Sequence, residues 1–399
     1  MIPEFYHTHL KQQLKATEYL MLNILVYLLQ CHRQVSIELL ASLMPYPILF
    51  ESRRRSIQRF LKLESLNLEQ IWFPLVRELI STKFAPSHPL HLTIDRTQWR
   101  DQNVFVISLI WEKRAIPLHW LLLNKRGCSN IREQISLIAP VLALLSDYQL
   151  IILGDREFGS VKLASWLCEQ SVQFLLRVKQ SRYIQSESQS YTQLSSLGLL
   201  PGTSWFKSSV KVTRQKGFGK FNVALYWRRK YKSRDLPEGW YLLTNLTNCS
   251  AAVSAFKNRA GIEAMFKDCK TGGYNLERSR ANDSRLTKLI LLIAIAYTGF
   301  IITGQKIQRQ GIQKYVGRLT ESHRLERRHS SFWLGLYGQY WLLGLEFCQK
   351  IITELMRIRR IIAPIFSAWF EGYVLDSIRL LMWLSPRQQE FARNRDSLA

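Results

Sequence analysis

The amino-acid sequence predicts an α/β fold, with helical regions at both ends and an all-β stretch set into its middle. Three observations carry that reading. Between about residues 89 and 178, strand-like apolar runs are first linked by short gaps and then alternate with helical runs. From 179 to 250 the chain turns polar, aromatic and rich in turn residues. On either side, residues 1–82 and 306–399 carry apolar residues at helical spacing.

The first helical region holds ATEYLMLNILVYLLQ, apolar almost all round and therefore a buried helix. SIELLASLM follows, with Ser36 placed to cap it and Glu38 in its first turn. Beyond Pro45 and Pro47 comes FESRRRSIQRFLKLE, which puts Arg53, Arg54, Arg55 and Arg59 on a short helix. Two short helices around a proline-containing turn, the second strongly basic, read as a helix-turn-helix-like DNA-binding domain over 1–82. The plainer alternative is a solvated basic face on a helical bundle.

The next stretch is HLTID, NVFVISLIW and AIPLHWLLL, three hairpin-linked strands, then the helix REQISLIAPVLALL, the strand QLIILGD, the helix VKLASWLCEQ and the strand QFLLRVK. That β-β-β-α-β-α-β order is the order of a ribonuclease H-like core, with its first part over 83–178 and its second over 251–305. Such a core sets the fourth strand beside the first. Asp95 and Asp155 each stand at the end of a hydrophobic strand, so the two acids would be neighbours. The run LILLIAIAYTGFIITG within 251–305 is 16 residues long. A membrane span needs roughly 20, so a buried core helix is expected.

Residues 179–250 are expected to be a β-strand insertion. From Lys207 to Arg234 there are ten basic residues and no acid, with Trp205, Tyr226, Trp227, Tyr231 and Trp240 interleaved. Cations and rings alternating on a sheet suit phosphates and unpaired bases. The alternative is a small β-insertion with a solvated cationic face.

FKNRAGIEAMFKDCKTGG then reads as one amphipathic helix. Ile262, Met265, Phe266 and Cys269 share one face, while Arg259, Glu263 and Lys270 point the same way on another. Alone, that second face is a solvated stripe with an i,i+4 ion pair of roughly 0.2–0.5 kcal/mol. Beside two strand-end aspartates, Glu263 becomes a third carboxylate. Three carboxylates can supply hard oxygen ligands for a divalent cation such as Mg²⁺.

These segments resemble the DDE transposases of bacterial insertion sequences, an IS-four-type family, in the branch marked by a Tyr-x2-Arg-x3-Glu-x6-Lys motif. Here the spacing is Phe256-x2-Arg259-x3-Glu263-x6-Lys270, with phenylalanine in place of the tyrosine, so a hydroxyl contact to phosphate is lost. IDRTQW, LGDREFG and RRRSIQRFL are also similar to segments of that family. The resemblance implies that Asp95, Asp155 and Glu263 are the catalytic, metal-holding acids, with two Mg²⁺ per site and Mn²⁺ able to substitute. It implies DNA contacts from Phe256, Arg259 and Lys270, and a tryptophan in the insertion that stacks an extruded base during hairpin formation. Trp227 is favoured for that role over Trp205 and Trp240, because Arg228, Arg229 and Lys230 follow it. The implied partners are double-stranded transposon ends and target DNA, bound by a homodimer in the synaptic complex. Residues 306–399 would add DNA binding or dimerisation.

Composition sets the outer bounds. The chain has 399 residues, 55 Lys+Arg against 30 Asp+Glu, a net charge of +25 and a pI near 10. That excess favours a polyanionic partner. Six cysteines show neither zinc-site spacing nor a disulfide framework. A cytoplasmic, nucleoid-associated bacterial protein without a membrane partner is expected. Three other readings stay open: a nuclease or resolvase without strand transfer, a domesticated DNA-binding protein, and a membrane-associated helical protein with 289–304 exposed to lipid.

Overall fold

A computed structural model describes residues 2–358, apart from 100, 187–189, 214–218, 230–237, 271, 280 and 321–327. The chain divides into two compact units, one of residues 64–289 and one joining 1–63 to the described residues from 290 onward.

The second of these begins with α1 (Glu4–Gln13), α2 (Ala16–His32), α3 (Ile37–Leu43) and α4 (Phe50–Phe60). Leu22, Leu25, Leu28 and Leu29 bury α2, as its all-round apolar sequence requires. α3 and α4 flank the turn holding Pro45 and Pro47, and Arg53 Nη1 crosses that turn to donate to the Met44 carbonyl at 3.0 Å.

The unit of 64–289 opens with a π-helical turn, Leu68–Trp72, leading into α5 (Phe73–Lys83). Trp72 is fully buried, and its Nε1–H donates to the Pro117 carbonyl at 3.0 Å. That anchor ties α5 to the sheet, so the boundary expected near 82 lies instead at 63/64.

Ten strands form one sheet: β1 (Leu90–Trp99), β2 (Gln102–Trp111), β3 (Arg114–Leu122), β4 (Leu150–Gly154), β5 (Gln173–Arg177), β6 (Tyr183–Gln185), β7 (Thr192–Gln193), β8 (Ser204–Val212), β9 (Lys220–Tyr226) and β10 (Trp240–Thr244). Their order is β3-β2-β1-β4-β5-β10-β9-β8-β6-β7. The first three strands are antiparallel hairpins, and β4 is parallel to both β1 and β5. α6 (Ile131–Leu144) and α7 (Val161–Glu169) supply the crossovers that parallel pairing needs. The strands of 179–250 do not form a separate domain. β10 pairs antiparallel with β5, and the sheet runs unbroken from the core into the insertion. An open β5 edge would leave a row of unpaired backbone groups, and β10 satisfies them.

α8 (Cys249–Lys257) lies on the sheet, with Ala252, Ala255 and Phe256 packed among Ile151, Leu153, Leu175, Ala224 and Leu242. α9 (Ala260–Cys269) follows. The single helix expected over 256–273 is broken at Asn258–Arg259, where a tighter turn forms. Just past the break, a Cβ on Gly261 would sit 3.1 Å from the Arg114 backbone, so α9 lies almost against β3.

α10 (Asp283–Arg309) leaves this unit and enters the other. It is long and apolar enough to cross a membrane, but 78% of its apolar window is buried within the protein. α11 (Gln313–Val316), α12 (Ser331–Phe347) and α13 (Gln349–Ile358) complete the helices. Within that unit the N-terminal and C-terminal helices share one core rather than standing apart. Gln30 Nε2 donates to the Ala296 carbonyl at 3.2 Å, and the Tyr340 hydroxyl donates to the Cys31 carbonyl at 2.6 Å.

Candidate active site

The register of β1 and β4 places the two aspartates. Thr93 pairs with Leu153, and side chains on a strand alternate faces. Two residues further on, Asp95 and Asp155 therefore emerge together on the face that α8 covers. One residue beyond Asp95, Arg96 points to the opposite face. There it pairs with Glu157 at 3.1 Å and bonds Asn103 Oδ1 at 3.1 Å, while Glu157 accepts from the Ser129 N–H at 2.8 Å. This half-buried network braces the backbone from which Asp95 projects.

Glu263 arrives from the first turn of α9. α9 is held by the Gly261 contact and by an Arg114–Asp268 ion pair of 3.2 Å. The three acids meet at one guanidinium. Arg259 Nη1 lies 3.3 Å from Asp95 Oδ2, Nη2 lies 3.7 Å from Asp155 Oδ2, and Nη2 also contacts Glu263 Oε1. Arg259 is only 13% exposed. Like charges this close need a counter-ion, and Arg259 is that counter-ion.

Asp95 records the strain of the cluster. Burial pushes its carboxyl from 3.8 up to about 6; the Arg96 N–H at 2.8 Å and Arg259 oppose the shift, and Asp155 and Glu263 add to it. Asp155 Oδ1 is buried and accepts no hydrogen bond, although Arg177 Nη1 stands 3.5 Å away.

Arg177 is a site residue that the sequence reading missed. β4 and β5 are parallel with Gly154 opposite Leu176, so the residue ending QFLLR must lie beside Asp155. Arg177 Nη2 also reaches Glu238 Oε2 at 3.4 Å, and Arg156 Nη2 contacts the same oxygen.

Residues 129–298 match the family model of the transposase DDE domain. This match takes in Asp155, Arg177, Arg259 and Glu263, and Asp95 lies before it. A solved piggyBac transposase synaptic complex with hairpin DNA is similar at 16% identity, over 96% of this chain and 82% of that one, with a TM-score of 0.42. A likeness of that size leaves the chemistry to rest on the residues themselves. No curated protein matches the chain.

The remaining sequence-selected residues divide. Within the transposase DDE domain match, Phe256 is 3% exposed and packs edge-on against Trp240 with ring centres 5.1 Å apart. Its ring lies in the core with Leu153 and Leu242. Trp240 is half-buried between Phe256 and Tyr226. Trp227 is half-buried just past β9, and Trp205 is 45% exposed on β8. Arg228 and Arg229 are exposed, and Lys230 lies outside the described residues. Lys270 has left the helix, and its Nζ lies 3.2 Å from Glu277 Oε1. In the basic helix, Arg54 pairs with Glu38 and Glu51, whereas Arg55 and Arg59 are exposed.

Among the described residues no three acid, histidine or cysteine side chains are gathered in a metal-holding group. The donors nonetheless fit: three carboxylates, one with a buried oxygen that accepts no hydrogen bond and one whose charge is costly without a nearby cation. Arg259 supplies that positive charge in this state.

Proposed function

We propose that the protein is an insertion-sequence transposase of the Tyr-Arg-Glu-Lys branch, built on a ribonuclease H-like core. It binds the terminal inverted repeats of its element, cleaves them by metal-dependent phosphodiester chemistry through hairpin ends, and joins the 3′ ends to target DNA. The observation that carries this reading is the convergence of two strand-end aspartates and one helix-borne glutamate on a single guanidinium.

Asp95, Asp155 and Glu263 would hold two Mg²⁺ ions, with Mn²⁺ able to substitute. When bound, such ions stabilise the attacking and leaving oxygens of the phosphodiester. The rest falls to the chain's own side chains. Once the acids have another counter-ion, Arg259 is free to grip a DNA phosphate bidentately. Lys270, a point charge just past the end of α9, holds a neighbouring phosphate. The exposed arginines Arg55, Arg59, Arg228 and Arg229 add sequence-independent contacts to the duplex. A ring of the insertion stacks the base displaced at the hairpin. The protein acts as a homodimer on paired ends, in the bacterial cytoplasm at the nucleoid.

The test uses labelled duplexes carrying the inverted repeats that flank the gene, with a target plasmid and Mg²⁺ or Mn²⁺. Wild type should nick the ends and join them. Asp155→Asn and Glu263→Gln should do neither, yet still shift the duplex in Ca²⁺. Nicking without joining would mark a nuclease rather than a transposase. Variants that cut at the wild-type rate would remove those residues from the site.

A further inference from the structure

The acid cluster has a neighbour that cleavage chemistry does not use. Arg156 and Arg177 both donate to a single oxygen, Oε2 of Glu238. Arg156 follows Asp155 directly in the chain, and Arg177 Nη1 stands 3.5 Å from Asp155 Oδ1. Their side chains are 41% and 17% exposed, and Glu238 is 28% exposed, so solvent reaches the group. Two guanidiniums sharing one anionic oxygen is the arrangement that binds a phosphate.

Glu238 stands two residues before the start of β10. A Cβ on the next residue, Gly239, would come within 2.6 Å of Leu199 Cδ2, and β10 begins at Trp240. β10 is tied in turn to β5, the strand that ends in Arg177. The insertion thus carries a carboxylate onto the two arginines that flank Asp155.

We propose that Arg156 and Arg177 form a binding site for a DNA backbone phosphate next to the cleaved bond, and that Glu238 occupies it in the DNA-free protein. This rests on the reading of the chain as a transposase. Glu238 stands in for the phosphate oxygen and holds two positive charges quiet beside the acids. An entering duplex must displace it, so ends bind productively only when their phosphate outcompetes that carboxylate. An ordinary brace between insertion and core would behave differently, since removing a brace weakens or leaves unchanged the binding of DNA.

The experiment measures the affinity of the full chain for a labelled duplex of arbitrary sequence, in chelator and at fixed salt. Glu238→Gln keeps the shape and removes the charge; Glu238→Ala checks it; Glu169→Gln, an exposed acid on α7, controls for net charge alone. One added phosphate contact contributes a slope of about 0.9 in log affinity against log salt, so Glu238→Gln should bind about eightfold tighter at ~0.1 M salt. Glu169→Gln should change affinity by less than about twofold, as expected of a distant surface charge. Adding Arg156→Gln to Glu238→Gln should erase the gain. A gain no larger than that of Glu169→Gln, or one that survives Arg156→Gln, overturns the proposal. A parallel arm titrates inorganic phosphate and follows thermal unfolding. Stabilisation of Glu238→Gln by phosphate without tighter duplex binding would make this a free-phosphate site and overturn its assignment to DNA. Cleavage by wild type is scored separately. Cut ends with no gain refute this inference alone; a gain with no cutting under any divalent metal refutes the transposase chemistry and leaves the phosphate site standing.

Discussion

Replacing Asp95 with asparagine should make the protein more stable at neutral pH while destroying its activity. Asparagine matches the shape of the aspartate and keeps an oxygen to accept the Arg96 N–H at 2.8 Å. It loses the ionic contact to Arg259 at 3.3 Å, but Asp155 and Glu263 still flank that guanidinium. The carboxyl rises from 3.8 to about 6 on folding, so the folded protein holds a proton there more tightly than the unfolded chain. The stabilisation from this group is complete below its ordinary value and is lost as pH rises through about 6. At ~1.4 kcal/mol per unit, a shift of about two units is worth about 3 kcal/mol. The side chain is 23% exposed, so most of that should survive solvent screening. The asparagine side chain never ionises and escapes this loss. The Asp95→Asn variant should therefore gain about 1–3 kcal/mol over wild type near pH 8 and nothing near pH 4. Urea unfolding in chelator, followed by tryptophan fluorescence across that range, measures the difference. Adding Mg²⁺ should then stabilise wild type by mass action and leave the variant behind. A difference that is flat with pH, or a variant less stable than wild type near pH 8, would refute the account of the cluster.

Other outcomes follow from the same geometry. Arg55→Ala with Arg59→Ala should lower the salt slope of duplex binding by about 1.8, at about 0.9 per phosphate contact. Arg53→Ala should instead lower stability by about 1–2 kcal/mol, because Arg53 already bonds the Met44 carbonyl; gel shifts and urea melts separate the two effects. Gly159→Ala puts a Cβ 2.2 Å from the Arg177 carbonyl oxygen, so it should destabilise by about 1–3 kcal/mol and slow end cleavage by displacing Arg177 from Asp155. Trp240→Ala should lower stability by about 2–4 kcal/mol through lost packing on Phe256 and Tyr226, and hairpin closure assayed on pre-nicked ends should be unaffected.

Much of the acid cluster was legible in the chain because it is written in local patterns. HLTID and LIILGD are apolar runs ending in acids, and strand alternation carries both side chains to one face once β1 and β4 pair. Arg259 and Glu263 sit four apart, and that spacing survives the change from a continuous helix to a helix start. What escaped depends on partners distant in sequence. Arg177 gains meaning only from the β4–β5 register, and Glu238 only from the return of β10 onto β5. Phe256 occupies a motif position, yet α8 turns it into the core. The positive charge of Arg54 gave no sign that Glu38 and Glu51 would neutralise it. The helix break before α9 has no proline to announce it.

The continuous sheet bears on how such a chain could be built or dismantled. An excisable module joins its host through two flexible crossings, and its loss leaves the host intact. Here removal of 179–250 would strip β10 from β5 and bare a strand edge that ends in Arg177. Main-chain donors and acceptors along β5 would then be open to pairing with other strands, and the truncated core should aggregate. β9, β10 and β5 are joined by backbone hydrogen bonds, so the insertion is tied directly to the strand that ends in the arginine beside Asp155.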